Sequence, residues 1–278
     1  MERERANLTK KSIKIVTWNV NSVSQRLDRM MAFLDREAPD FLCLQELKGD
    51  DGKFPAEAVA GAGYRAEVFG QKGYNGVAIL SRLDASPAVT VTRNFADGVD
   101  DPAARFIAAT YEIPGSAKPL TVMSAYVPNG QSVGSEKYIY KIEWFQRLRK
   151  YLDARHKTTD LVALVGDFNV APADIDVYDP VAWREHIHTS TRERQSLYQV
   201  ATFGLVDTWR HLYPDEPGYS WWDYRQLSFP QNKGLRIDLI YATGPLAGTC
   251  TEVRVDRNER KGEKPSDHAP VIATFDLA

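Results

Sequence analysis

The sequence predicts an α/β protein in which two sheets stack face to face with helices on the outside. Three observations lead there. Strand-like runs outnumber helical ones along the 278 residues. The helical runs are too few to alternate with the strands, which argues against a doubly wound βαβ fold. Polar residues recur at strand ends, where a layered core leaves loops free to carry function.

In order along the chain, residues 1–12, MERERANLTKKS, set Arg3, Arg5, Lys10 and Lys11 against Glu2 and Glu4 and read as a mobile arm of net charge +2. The arm has no apolar core, so it is not a secretory signal. Residues 13–278 contain no repeat, low-complexity stretch or linker and read as one domain. Strands are expected at IKIVTWNV, FLCLQE, GVAILS, RFIAATYEI, LTVMSAYV, LVALVGDFN, LRIDLIYA, TEVRVD and VIATFDL. Each is rich in β-branched or aromatic residues and bounded by Gly, Pro, Asn or Asp. Helical spacing places Leu27, Met30, Met31 and Leu34 on one face, and Ile142, Phe145, Leu148 and Leu152 on another. A third helix is expected in ERQSLYQVATFGL.

The composition, 43% hydrophobic and 26% charged, is that of a globular protein. No apolar run is long enough to span a membrane. Cys43 and Cys250, the two cysteines, sit in strand-like runs and read as buried reduced thiols. That fits a reducing, cytoplasmic setting. Net charge is −2, which neither calls for nor excludes a nucleic-acid partner. Between Gln131 and Lys157, seven basic residues oppose three acidic ones and form a candidate basic face. Arg105 is a further candidate for gripping a polyanion.

The placement of the polar residues is more informative. The first strand runs into Trp18–Asn19, the second into Gln45–Glu46, LTVMSAYV into Tyr126 and Asn129, and LVALVGDFN into Asp167 and Asn169. Asp238 interrupts an apolar strand, and Asp267 and His268 precede the last one. Singly, each reads as a satisfied core group or a turn former. KPSDHAPV in particular admits either turn chemistry or proton and metal chemistry. Their recurrence favours convergence on one rim. Carboxylate and amide oxygens are hard donors that suit Mg²⁺, with Mn²⁺ able to substitute, rather than zinc. Of the five histidines, only His268 stands next to an acid and near a strand aspartate.

Taken in order, WN, LQE, YVPN, GDFN, GLRIDLI and SDHAPV resemble the endonuclease/exonuclease/phosphatase superfamily, from about Ile13 to the C-terminus. YSWWDYR and GLRIDLI are similar to its exonuclease III and apurinic/apyrimidinic endonuclease branch. The resemblance implies a four-layer α/β sandwich with two mixed sheets. It implies a Mg²⁺-dependent DNA phosphodiesterase of base excision repair acting, as a monomer, on double-stranded DNA with abasic sites or 3′ ends. Glu46 would be the main metal ligand, with Asn19 beside it holding Asp167, and Asp167, Asn169 and Asp267 completing the metal set. Asp167 would position or deprotonate water, Asn169 and Tyr126 would contact the phosphate, and His268, oriented by Asp238, would offset its charge. Asn21, Asn129, Arg105 and Trp221 would face the substrate, with Leu235 and Ile237 on the same pocket wall and Trp222 in the core. Two readings compete: a catalytically silent nucleic-acid-binding regulator on the same fold, and a lipid or inositol phosphatase.

Overall fold

Along the first strand, β1 (Lys11–Asn19), alternate side chains enter different cores. Ile13 and Ile15 belong to one buried cluster, and Val16 and Trp18 to another. A strand buried on both faces must lie inside a layered stack. The computed structural model, which describes residues 11–82 and 86–277, shows that stack.

After β1 come α1 (Leu27–Glu37), β2 (Phe41–Gln45), α2 (Ala56–Gly61), β3 (Tyr64–Phe69), β4 (Val77–Arg82), β5 (Thr90–Arg93), β6 (Phe106–Tyr111) and β7 (Leu120–Tyr126). The chain continues through α3 (Glu136–Arg155), β8 (Leu161–Asp167), α4 (Thr191–Ala201), β9 (Leu205–Asp207) and α5 (Thr208–Leu212). It ends with β10 (Asp238–Thr243), α6 (Gly244–Ala247), β11 (Cys250–Val255) and β12 (Val271–Leu277). One six-stranded sheet has the order β11-β12-β1-β2-β4-β3, the other β5-β6-β7-β8-β10-β9. Each is mixed: β1–β2 and β7–β8 are parallel, and the remaining pairs antiparallel.

The middle cluster lies between the sheets and joins Ile15, Cys43 and Ile79 to Ile107, Val122, Val165 and Ile240. On one outer face Met30, Phe33 and Leu34 of α1 cover Val16, Trp18 and Leu42. On the other, Phe145 and Leu148 of α3 and Leu197 of α4 cover Phe106, Met123 and Leu164. These are the four layers that the resemblance implies. Both cysteines are free and buried. Among the described residues no helix is long and apolar enough to cross a membrane.

Several expectations need correction. Lys11 and Ser12 pair with Leu277 and Asp276 in β1, so the arm cannot extend to residue 12, and residues 1–10 lie outside the described part. Asp238 opens β10 rather than interrupting it. The basic residues of 131–157 do not form one face. Lys141 is fully buried, Arg147 binds Asp97 and Asp101, and Arg149 binds Asp153. β3, β5 and β9, none of them foreseen, are sheet edges, and their half-exposed side chains leave little apolar pattern to read.

The two parallel pairs position the site. Parallel neighbours end at the same edge, so Asn19 and Gln45 finish side by side, as do Tyr126 and Asp167. β10 runs antiparallel to β8, which sets Asp238 opposite Asp167. The turn before β12 arrives at the same edge, because β12 is antiparallel to β1. Gly166 allows β7 and β8 to close in: a Cβ there would lie 1.9 Å from the Ala125 carbonyl oxygen. Gly166→Ala is therefore expected to cost about 3 kcal/mol, seen as a lower urea midpoint. An unchanged midpoint would mean that the two strands separate freely at this point.

Candidate active site

The polar residues continue the pattern of the inner core. On β1 the sequence of inward positions is Ile13, Ile15, Thr17, Asn19; on β8 it is Ala163, Val165, Asp167. The inter-sheet core thus turns polar at one rim. Gln45 donates to the Ser124 hydroxyl at 3.0 Å and accepts from Thr17 at 3.2 Å, closing the layer beneath.

Above it, Asn19 donates through Nδ2 to Glu46 Oε1 and to Asp167 Oδ2, each at 2.9 Å. Its oxygen accepts from the Asn21 amide at 2.9 Å. The Asn19 amide thus bridges the two carboxylates through its nitrogen, while its oxygen accepts one bond from the following turn. The Tyr126 hydroxyl donates to Glu46 Oε1 at 2.9 Å, and Lys48 pairs with Oε2 at 2.9 Å. Glu46 and Lys48 have φ of 56° and 57°. That left-handed backbone, costly for a side-chain-bearing residue, turns both side chains back over the rim.

Asp167 Oδ1 accepts from the Asn169 backbone at 2.9 Å. The Asn169 side chain donates to Val127 O at 3.0 Å and to Asp167 Oδ2 at 3.3 Å, while Asn129 reaches Asn169 Oδ1 at 3.4 Å. His268 Nδ1 donates to Asp238 Oδ2 at 2.9 Å, and its Nε2 lies 3.7 Å from Asp167. The Ser220 hydroxyl holds the same Asp238 oxygen at 2.7 Å.

The charges follow from these partners. Burial works against a charge on Glu46, but the Asn19 amide and the Lys48 ammonium prevail and hold it below the usual carboxylate range. Burial, reinforced by Asp238 and Glu46, lifts Asp167 to about 7 against the pull of His268. Burial would also neutralise His268, yet Asp238, Asp167 and Asp267 raise it to about 10. Burial and the nearby Glu46 and Asp167 keep the Tyr126 phenol protonated.

The resulting arrangement can receive a cation. Donor atoms of Glu46, Asp167 and His268 lie within 4.8 Å of one another. Glu46 and Asp167 are hard oxygen donors, which fits a divalent ion of the magnesium type. His268, held as an imidazolium, contributes positive charge instead.

The other expected residues divide. Asn21 donates to Asp267 Oδ1 at 3.0 Å and accepts from Lys48, and Trp221 Nε1 donates to Asp267 Oδ2 at 3.0 Å. Both Asp267 oxygens are thus engaged, and Asp267 stands outside the three-residue cluster. Arg105 stacks 4.8 Å over the Tyr126 ring and lines a groove of about 680 Å³ with Asn129, Gln131 and Lys137. Trp222 is fully buried, as expected of a core aromatic. Leu235 is fully buried too, so it backs Trp221 and cannot touch a substrate; Ile237 is 1% exposed.

Sequence reading missed four contributors. Lys48 could have been found, since its charge follows Glu46 by two positions. Ser220, His188 and the buried pair Lys141–Glu193 carry no local signal, because their partners lie far along the chain.

Known proteins resemble the chain in sequence and fold. The model of the Endonuclease/Exonuclease/phosphatase family matches residues 16–268. Exodeoxyribonuclease III of Haemophilus influenzae is 34% identical over 271 residues, 95% of this chain and 100% of that protein. A solved 3′-5′ exonuclease from Neisseria meningitidis is 43% identical with a TM-score of 0.88, covering 95% of this chain and 100% of the other. An AP endonuclease from Archaeoglobus fulgidus is 38% identical with a TM-score of 0.89, at the same coverage. The chain therefore belongs to the Endonuclease/Exonuclease/phosphatase family, in its exonuclease III and AP endonuclease branch.

Proposed function

We propose that the protein is a metal-dependent DNA phosphodiesterase of base excision repair. Its substrate is double-stranded DNA, incised 5′ to abasic sites and processed at 3′ ends. The observation that carries this reading is the convergence of Glu46, Asp167 and His268 at one buried rim. A Neisseria 3′ phosphatase of 42% identity was solved with a product DNA hairpin, which supports a DNA substrate.

Glu46 and Asp167 would hold the ion, Mg²⁺ or Mn²⁺, and their orientation comes from Asn19, Tyr126 and Lys48. Bound there, the ion supplies charge that offsets the negative charge developing on the phosphate. Asp167 would position or deprotonate the attacking water. His268 presents Nε2–H toward the same space, with Asp238 and Ser220 fixing the ring. The amides of Asn169 and Asn129 and the Tyr126 phenol would be the neutral donors for phosphate oxygens, exchanging for them their bonds to Val127, Asp167 and Glu46 and between the two asparagines. Arg105, Lys137 and the groove beside Asn129 give the DNA backbone a basic path.

A silent regulator would have no use for this constellation, since buried carboxylates without a cation cost free energy. A lipid or inositol phosphatase is disfavoured by the branch to which the chain belongs. The buried free thiols fit a reducing compartment, and we place the protein in the cytoplasm, acting as a monomer.

The direct test uses a duplex with one abasic analogue, a duplex with a recessed 3′ end and a soluble phosphomonoester. Incision of the DNA substrates, abolished by EDTA and restored by Mg²⁺, is expected. Hydrolysis of the phosphomonoester alone would overturn the reading. Glu46→Gln should lower the rate by roughly 10²–10³ at low metal, with partial recovery at high Mg²⁺; a wild-type rate at low metal would remove Glu46 from the site.

A second prediction concerns ring orientation. Asp238→Asn should reduce kcat by about 100-fold with little change in DNA affinity. A thermal melt run beside the kinetics separates this from a purely structural role. A large fall in Tm with normal turnover per folded molecule would contradict the assignment.

A further inference from the structure

Lys141, in the second turn of α3, has no solvent exposure, and neither has its partner Glu193. An ammonium group has three protons to donate, and Lys141 uses all of them. It donates to the Asn129 carbonyl at 3.2 Å, to the Asn169 carbonyl at 2.7 Å and to the Glu193 carboxylate. Glu193 in turn accepts from Ser190 N at 3.2 Å, the Ser190 hydroxyl at 2.7 Å and His188 N at 3.1 Å. His188 Nδ1 returns to the Asn169 carbonyl at 2.6 Å. One buried charged pair therefore ties together the loop after β7, the turn after β8 and the start of α4.

Two features argue that the tie serves geometry rather than stability. A buried ion pair of this kind seldom outperforms apolar side chains of similar volume. In addition, Asn169 has a φ of 51°, a backbone setting that persists only where its surroundings hold it. The carbonyls that Lys141 grips belong to Asn129 and Asn169, the two asparagines that the proposed function assigns to the phosphate.

We propose that Lys141, paired with Glu193, is a positioning residue that sets the backbone of Asn129 and Asn169 so that their amides meet the phosphate. This rests on the phosphodiesterase reading above. The competing role is simple cohesion between α3 and α4.

The test compares the wild type with Lys141→Met, Asn169→Ala, the two combined, and Lys141→Met with Glu193→Gln. Each is measured for single-turnover incision of an abasic duplex, duplex Kd and thermal unfolding. Lys141→Met should lower the rate per folded molecule by about 100-fold while Kd stays within about threefold. In the Asn169→Ala background the same change should cost much less than in the wild type, because the share acting through the Asn169 amide is already gone and only the Asn129 share remains. The Lys141→Met, Glu193→Gln protein removes the uncompensated carboxylate and should melt near the wild type while keeping the slow rate. The proposal is overturned if the Lys141→Met and Asn169→Ala losses multiply independently, or if Lys141→Met turns over normally per folded molecule. It is overturned equally if neither Lys141 variant folds, since the pair would then serve stability. A wild type that does not incise abasic DNA at all would instead sink the phosphodiesterase reading.

Discussion

The Asn19 side-chain amide is the contact on which the rest of the site depends. It spans Glu46, just beyond β2 of its own sheet, and Asp167, at the end of β8 in the other. Two carboxylates this close, Asp167 buried and Glu46 half-buried, repel each other and lose hydration, and one response is to take up a proton. Asp167 moves in that direction, while Glu46 keeps its charge through Asn19 and Lys48. A bridging amide with no charge of its own holds the pair together and leaves their negative potential available to a cation.

That contact is possible only because each sheet has a parallel pair near its centre. The pairs β1–β2 and β7–β8 end at one rim, and the inner face that is apolar at Ile15 and Val165 becomes polar at Asn19 and Asp167. The antiparallel neighbours then supply the second half: Asp238 from the start of β10, and Asp267 and His268 from the turn into β12. The rim also concentrates unfavourable backbone. Glu46, Lys48, Asn169 and His188 all have positive φ, at about 1–3 kcal/mol each. Strain of this kind is kept where packing and hydrogen bonds over-determine the geometry, and here these include the Lys141–Glu193 tie.

Much of this was legible in the sequence because strand chemistry is local. Alternating apolar runs ending in Asn19, Glu46, Tyr126 and Asp167 announce both the strands and their polar tips. What the sequence hid depends on the third dimension. The resemblance implied that Leu235 lies on a pocket wall with Trp221, but beside its bridge to Trp221 the Leu235 side chain is fully buried. Lys141 looked like one more cation on a charged helix. Its burial follows from Asn129, Asn169 and Glu193 meeting around it, which no local pattern reports. His188 was hidden in the same way, because its partner Asn169 lies 19 positions away.

Asn19 assembles the candidate cation site by aligning Glu46 with Asp167. Titration of Mn²⁺ into the wild type and Asn19→Ala, with bound metal read by electron paramagnetic resonance and folding checked by thermal melt, tests it most directly. Saturable binding is expected in the wild type, and an affinity weakened roughly 10–100-fold in the variant, with the fold intact. Equal affinity in a folded Asn19→Ala protein would contradict it, since the carboxylates would then align without their bridge.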